Sequence, residues 1–522
     1  MESEELQELS SLLRAASLGA GPGGRTYARK VAPVPGARLV ASSCSAQVLK
    51  FWPAEPNHHL LRLILDSAQG HLAAHSDGGW LFLQLCIRIF HALQDFPAPA
   101  ALHGLAQAAS DVTSALSDGA IRRELDWSKL PSVLALLRGV LCKPLALAKP
   151  ADTRHLCAVA LEAFLHTTPG MEAGRPWQEV VRFEWCCGQD VAWSESHRGL
   201  VLDTPGSLVP SGKGDGPIAL FAASLEQWLP QEDFEEVYEV ETLISSSAPS
   251  AAASLRDWEI LQFKKLADSL LAAGTKALAC QKLVDPWLID YLHARGVSVL
   301  WRLSIRHIDF VRRLTGARPV SSLAALPSWS EALGWVGPLE HAQLGARNYI
   351  RMAPPAKHPA LPISTLTVGA PDEHALNELK YCLPQAFHVL WEAARTGAVL
   401  LGGGLTELHL AGRLRENART ANITSTVAAV MRAVADSLTA SAASLAPDAA
   451  PSAPASSPAG AAAVEAATAV LEELRHHPAK LPPGMVLDAE TPKSRAILGA
   501  LDLAGILLRI GQVQDFKSQK LG

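Results

Sequence analysis

Three glycine-containing segments could bring backbone N–H groups against an anion: Ala20-Gly21-Pro22-Gly23-Gly24, Ser76-Asp77-Gly78-Gly79-Trp80 and Gly402-Gly403-Gly404. A glycine lacks Cβ, so the chain can approach a phosphate closely and present successive N–H donors to it. Taken singly, each segment is more often a turn or a helix cap. None is followed by Gly-Lys-Ser/Thr, so none is a Walker A loop. Asp77 precedes the apolar stretch that opens at Trp80, where a carboxylate either holds a magnesium ion or caps the helix. The local sequence alone favours the cap. His58-His59 and His476-His477 are adjacent pairs with no Cys or carboxylate at ligand spacing, so a metal centre is not expected there. There is no Gly-x-Ser-x-Gly elbow to anchor a hydrolase triad. No combination of acid, base and nucleophile suggests a small-molecule enzyme of another type.

Composition narrows the classes further. The chain has 522 residues, 51 acidic and 46 basic, for a formal net charge of −5. That balance argues against nucleic-acid binding driven by bulk charge. A hydrophobic content of 48% with 13 tryptophans excludes a largely disordered chain. The length predicts about three to four domains. Acidic Glu2, Glu4 and Glu5 give the start the wrong sign for a secretory n-region. Arg88 and Arg509 interrupt the best apolar runs, so no membrane span is expected. The eight cysteines are scattered, and the adjacent Cys186 and Cys187 suit neither CxxC redox chemistry nor a zinc knuckle. The expectation is a soluble intracellular protein with free thiols.

The elements that must position the glycine segments are mostly helical. Leu81–Phe90 is apolar nearly all round, which predicts a helix buried on several sides. Further helical patterns cover about 99–117, 132–142 and 153–166. The middle changes character, with strands predicted at 217–221, 277–280 and 297–301. These alternate with helices at about 254–273, carrying Trp258, Phe263, Leu266 and Leu270, and at 286–295. Residues 245–254 (SSSAPSAAAS) read as mobile. Helices return after about 373 and end with one over 493–510. The Ala/Ser/Pro block at 440–463, with four prolines, reads as a disordered insertion.

The order and spacing of these pieces resembles the group II chaperonins, the eukaryotic cytosolic (TCP-1) ring family. Gly21-Pro22-Gly23-Gly24 is similar to their Gly-Pro-Lys-Gly loop, and Ser76-Asp77-Gly78-Gly79-Trp80 to their Gly-Asp-Gly-Thr-Thr. Cys280-Gln281-Lys282, Gly296, Val297 and Leu314-Thr315-Gly316-Ala317 resemble their apical segment. Leu401–Glu407 resembles their Gly-Gly-Gly-Ala-x-Glu, and Asp488 with Ile506–Ile510 resembles their closing helix region. The resemblance covers nearly the whole chain. It implies an α/β multidomain subunit with a helical equatorial domain (1–145 and 400–522), a mixed intermediate domain (146–195 and 346–399) and an α/β apical domain (196–345).

The resemblance also implies an ATP and magnesium site lined by Gly21, Pro22, Gly24, Asp77, Gly78, Gly403, Gly404 and Asp488, with Asp77 as the magnesium ligand. This chain departs from the pattern at the positions that matter for hydrolysis. The carboxylate of Asn-Asp-Gly falls on Cys44, the two phosphate-contacting threonines on Gly79 and Trp80, and the water-activating aspartate on Gln385. Gln can orient water but cannot take its proton, and Pro384 is expected to disturb the helix that carries it. Gln385 is expected near the pocket, with Cys44 on the opposite wall. The implied function is that of a chaperonin-like protein assisting folding or assembly of complexes, with a degraded ATPase site. Implied partners are other Bardet–Biedl chaperonin-like proteins, cytosolic chaperonin subunits and the ciliary coat complex, in the cytoplasm and at the centrosome or basal body. The competing reading is an active ATP-dependent subunit of a cytosolic ring chaperonin.

Overall fold

The structure, a computed structural model, describes residues 3–19, 27–30, 39–52, 59–142, 147, 149–168, 176–203, 206–210, 215–228, 249–323, 326–344, 347–356, 361–420, 423–445, 458–476 and 485–520. The fold is a multidomain α/β fold. Two compact units divide the chain: Met1–Ala160 with Asp190–Ala192 and Gly369–Gly522, and Leu161–Gln189 with Trp193–Val368. Both ends of the sequence therefore contribute to one unit. The segments expected to make an intermediate domain, 146–195 and 346–399, are divided between the two.

The first unit is built on helix Gly79–Leu93. Trp80, Phe82, Leu83, Leu85, Cys86, Ile87, Ile89, Phe90 and Leu93 are all buried, so the helix is apolar on most sides because it has neighbours on several sides. It packs against helices Ser3–Gly19, His59–His75, Ser425–Ala443 and Glu490–Lys520. Each fully buried Leu, Ile or Phe contributes about 1.5–3 kcal/mol, so this helix is a large contributor to the unit's stability. The buried Gln84 donates from Nε2 to the Ala16 carbonyl at 2.9 Å, and the partly buried Arg88 donates to Ser17 Oγ at 3.3 Å.

A small sheet lies in the same unit. Its central strand, Ala398–Leu401, is wholly buried and pairs antiparallel with Arg122–Glu124 and Leu487–Ala489. The register Leu400↔Asp488 sets Asp488 beside the strand that runs into the Gly402–Gly404 turn. Helix Glu373–Thr396 completes the frame. The Asp372 carboxylate caps it by accepting from the Ala375 N–H at 2.9 Å, and Gly397 ends it at φ +68°. Pro384 does not break this helix, contrary to expectation. The proline withholds a donor from the carbonyl of Lys380, an exposed residue, so the loss is tolerable.

In the second unit, Gly216–Phe221, Ala277–Cys280 and Ser298–Trp301 form a parallel core. Gly334–Val336 and Gly206–Leu208 flank it as antiparallel edges. Both faces are covered, as parallel strands require. Ile218, Leu220, Ala279 and Leu300 meet Val311 and Leu314 on one side, and Phe221, Leu278 and Val299 meet Phe263, Leu266, Leu270 and Leu288 on the other. Trp258 does not share this apolar face and is 43% exposed.

Two further expectations are corrected. Helix Pro249–Ala272 takes in residues 249–254 of the segment read as mobile. Residues 440–443 end helix Ser425–Ala443, and 458–463 begin helix Pro458–His476, so neither flank of the Ala/Ser/Pro block is irregular. Ser441, Ala442 and Ala443 are buried, which holds the first flank, and Pro458 stands at a helix start, where its missing N–H costs nothing. The remainder, 446–457, lies outside the described residues. Among the described residues no helix is long and apolar enough to cross a membrane.

Candidate functional site

The first unit contains a cavity of about 120 Å³ that gathers residues far apart in sequence. Cys44, Asp77, Gly78, Gly79, Trp80, Gln385, Gly403, Gly404 and Asp488 all line it. Gly21, Pro22 and Gly24 lie outside the described residues, as do His58 and His477. His59 begins a helix with its side chain exposed. Among the described residues, no group of three or more His, Cys, Asp or Glu side chains is arranged to hold a metal ion.

The Asp77 turn has its own strain and support. Ser76 takes φ +60° and Gly78 φ +81°, both left-handed. The helix cap falls on Gly78 and no side chain bonds there, so Asp77 is not the cap that the local sequence favours. Instead His71 donates from Nε2 to the Asp77 carbonyl at 2.9 Å. A serine in the left-handed region costs ~1–2 kcal/mol, while glycine gives back ~0.5–1 kcal/mol in unfolded-state entropy. Ser76→Gly should therefore stabilise the protein by about 0.5–1 kcal/mol, read as a higher urea midpoint at unchanged slope.

Burial pulls the His71 pKa down to about 4, helped by the nearby His75 and opposed by the bond to Asp77. The unfolded histidine, near 6.5, binds its proton first, so stability should fall as pH drops from about 6.5 towards 4. His75, His91 and His388 are shifted in the same direction by burial. His71→Asn should flatten that slope without abolishing it, as measured by urea midpoints across pH.

Around Gly79 and Trp80 the space is already taken. A Cβ at Gly79 would lie 2.8 Å from Ser45 Oγ and 2.9 Å from both Leu72 methyls. Trp80, 6% exposed, donates from its indole Nε1 to the Ser43 carbonyl at 2.7 Å. Cys44 and Gln385 are not on opposite walls. The Cys44 thiol donates to Gln385 Oε1 at 3.4 Å, so they touch. The expectation failed because helix Glu373–Thr396 packs directly on the 42–45 segment.

The sequence reading missed residues that dominate the electrostatics. Lys493, 5% exposed, places its ammonium 3.0 Å from Glu407 Oε1 and 2.7 Å from Asp488 Oδ2. It also donates to the Leu401 carbonyl at 3.2 Å. Burial alone would lower the Lys493 pKa, but Asp488 and Glu407 more than reverse this and hold it above its ordinary value. Glu407, 2% exposed, leaves Oε2 without a hydrogen-bond partner. Glu407 had a sequence signal, as the acid closing Gly402-Gly403-Gly404-Leu405-Thr406-Glu407. Lys493, in an ordinary first helical turn, had none. Three carboxylates (Asp77, Glu407, Asp488) and one ammonium therefore line the cavity.

Comparison with known proteins agrees with this architecture. The model of the TCP-1/cpn60 chaperonin family matches residues 52–516. The chain is 27% identical over 368 residues to "Molecular chaperone MKKS" of Mus musculus, covering 69% of this chain and 62% of that protein. It is 25% identical over 370 residues to the Homo sapiens protein of the same name, with the same shares covered. It is 30% identical over 225 residues to "Thermosome subunit alpha" of Sulfolobus acidocaldarius, 42% of this chain and 38% of that subunit. The aligned stretch thus spans 62% of the length of the first two relatives. With a family match running through both units, this chain belongs to the TCP-1/cpn60 chaperonin family.

Proposed function

We propose that this chain is a non-catalytic chaperonin-like protein that assists folding or assembly of protein complexes through protein contacts. The observation that carries the reading is the Cys44–Gln385 hydrogen bond at 3.4 Å. The two positions at which the family resemblance implies carboxylates are neutral here and satisfy each other. The lining does not fit a magnesium-bound triphosphate. Trp80, fixed by its bond to the Ser43 carbonyl, and the crowded Gly79 stand where phosphate-contacting threonines are implied. Any residual ATP or magnesium binding is weak in this reading, and no reaction step passes through it.

The proposed clients are subunits of the ciliary Bardet–Biedl coat complex. Proposed partners are other Bardet–Biedl chaperonin-like proteins and cytosolic chaperonin subunits, met in the cytoplasm and at the centrosome or basal body. Similarity to proteins named molecular chaperones supports the assembly role. Size-exclusion mass of the full chain, with and without magnesium-ATP and the partner chains, tests it. Co-elution with a chaperonin-like partner at the same mass in both conditions is expected. Self-assembly into a ring only when ATP is added would contradict the proposal.

A further inference from the structure

We propose that helix Glu373–Thr396 is latched onto the Ser42–Cys44 turn by side-chain hydrogen bonds that need no nucleotide, so the two stay docked whether or not ATP is present. Glu378 is fully buried, and its Oε1 accepts from the Ser43 N–H at 2.8 Å, the Ser43 hydroxyl at 2.8 Å and the Ser42 hydroxyl at 3.3 Å. Gln385 stands seven residues on, about two helical turns, and so presents the same face to the same turn. There it receives the Cys44 thiol at 3.4 Å.

The turn is also held in shape and from a second direction. Ser42 Oγ accepts from the Cys44 N–H at 2.9 Å, and Trp80 donates to the Ser43 carbonyl at 2.7 Å. Parting helix and turn would strip Glu378 of its three serine donors, and a buried carboxylate short of donors is costly. Cys44 and Trp80 are two of the positions where this chain departs from the family pattern. The substitutions that remove catalytic and phosphate-binding groups thus supply bonds that fasten the turn. The inference goes beyond the non-catalytic reading and does not depend on any partner.

Hydrogen exchange of the full chain tests the latch. Amides at 375–390 should exchange at rates that change less than twofold when magnesium-ATP is added. A larger change would overturn the proposal. The combined Ser42→Ala and Ser43→Ala changes should speed exchange of the same amides at least tenfold, with circular dichroism showing that the variant is folded. A smaller change would refute the latch. ATP turnover with exchange rates unaltered by nucleotide would remove the non-catalytic reading and leave the latch standing, so the two failures are distinguishable.

Discussion

Replacing Lys493 with methionine should cost the fold about 3–5 kcal/mol, the usual loss when one partner of a buried ion pair is removed. The buried ammonium is the counter-charge to Glu407 and Asp488 and also satisfies the Leu401 carbonyl. Without it, Glu407 and Asp488 lose their shared counter-charge. Taking all three charges away together, with Lys493→Met, Glu407→Gln and Asp488→Asn, should recover most of the loss, because well-packed neutral groups avoid the desolvation penalty. The pH dependence has a definite sign. The folded pKa of Lys493 lies above the unfolded value of 10.5, so its stabilisation is complete below about pH 10.5 and is lost as pH rises through the folded pKa. Urea titrations of the variants at pH 7 and near pH 11 check both statements. A Lys493→Met cost within about 0.5 kcal/mol of zero would show that the triad is not a structural centre.

Trp80→Thr, the change towards the family pattern, should destabilise the protein by about 3–5 kcal/mol and create no phosphate site. Loss of a buried tryptophan accounts for most of that, and the Ser43 carbonyl loses its indole donor. Gly79→Thr should cost about 1–3 kcal/mol for a different reason, since Ser45 and Leu72 already occupy the space of its Cβ. The two sites are adjacent and share the Ser43–Ser45 segment, so their effects should not add. Denaturation midpoints measure the stability changes. Isothermal titration with a non-hydrolysable ATP analogue tests the phosphate site. A double variant that is as stable as the parent and binds the analogue tightly would show that the pocket is reversible rather than rebuilt.

Much of the frame was legible from pattern. Leu81–Phe90 announced its burial on several sides by being apolar nearly all round, and the strands at 277–280 and 298–301 announced themselves by short apolar runs ended by turn residues. The distant glycine turns could be proposed as one site only through the resemblance, because nothing in Asp77 or Gly403 alone points to the other. Burial supplied by another element was not legible. The flank Ser441–Ala443 reads as low complexity, yet it is a helix end because other helices cover it. Trp258 fits the helical spacing of Phe263 and Leu266 but points outward. Lys493 looks like a solvated first-turn lysine until the fold sets Glu407 and Asp488 against it. The Cys44–Gln385 contact joins residues more than 300 positions apart, and no local spacing encodes that.

Restoring the charges alone should not give an efficient ATPase. With Cys44→Asp and Gln385→Asp both in place, Gly79 and the fixed Trp80 still leave the phosphate contacts unmade. In phosphoryl transfer the protein contributes mainly placed charge, with a single electrostatic group worth about 3–4 kcal/mol of barrier. The most direct test of the non-catalytic reading is magnesium-dependent ATP hydrolysis by the purified, unmodified full chain beside its Asp77→Ala variant. The expected result is phosphate release indistinguishable from a protein-free blank for both. Robust turnover by the unmodified chain, abolished by Asp77→Ala, would contradict it and make this protein an active ATP-driven chaperonin.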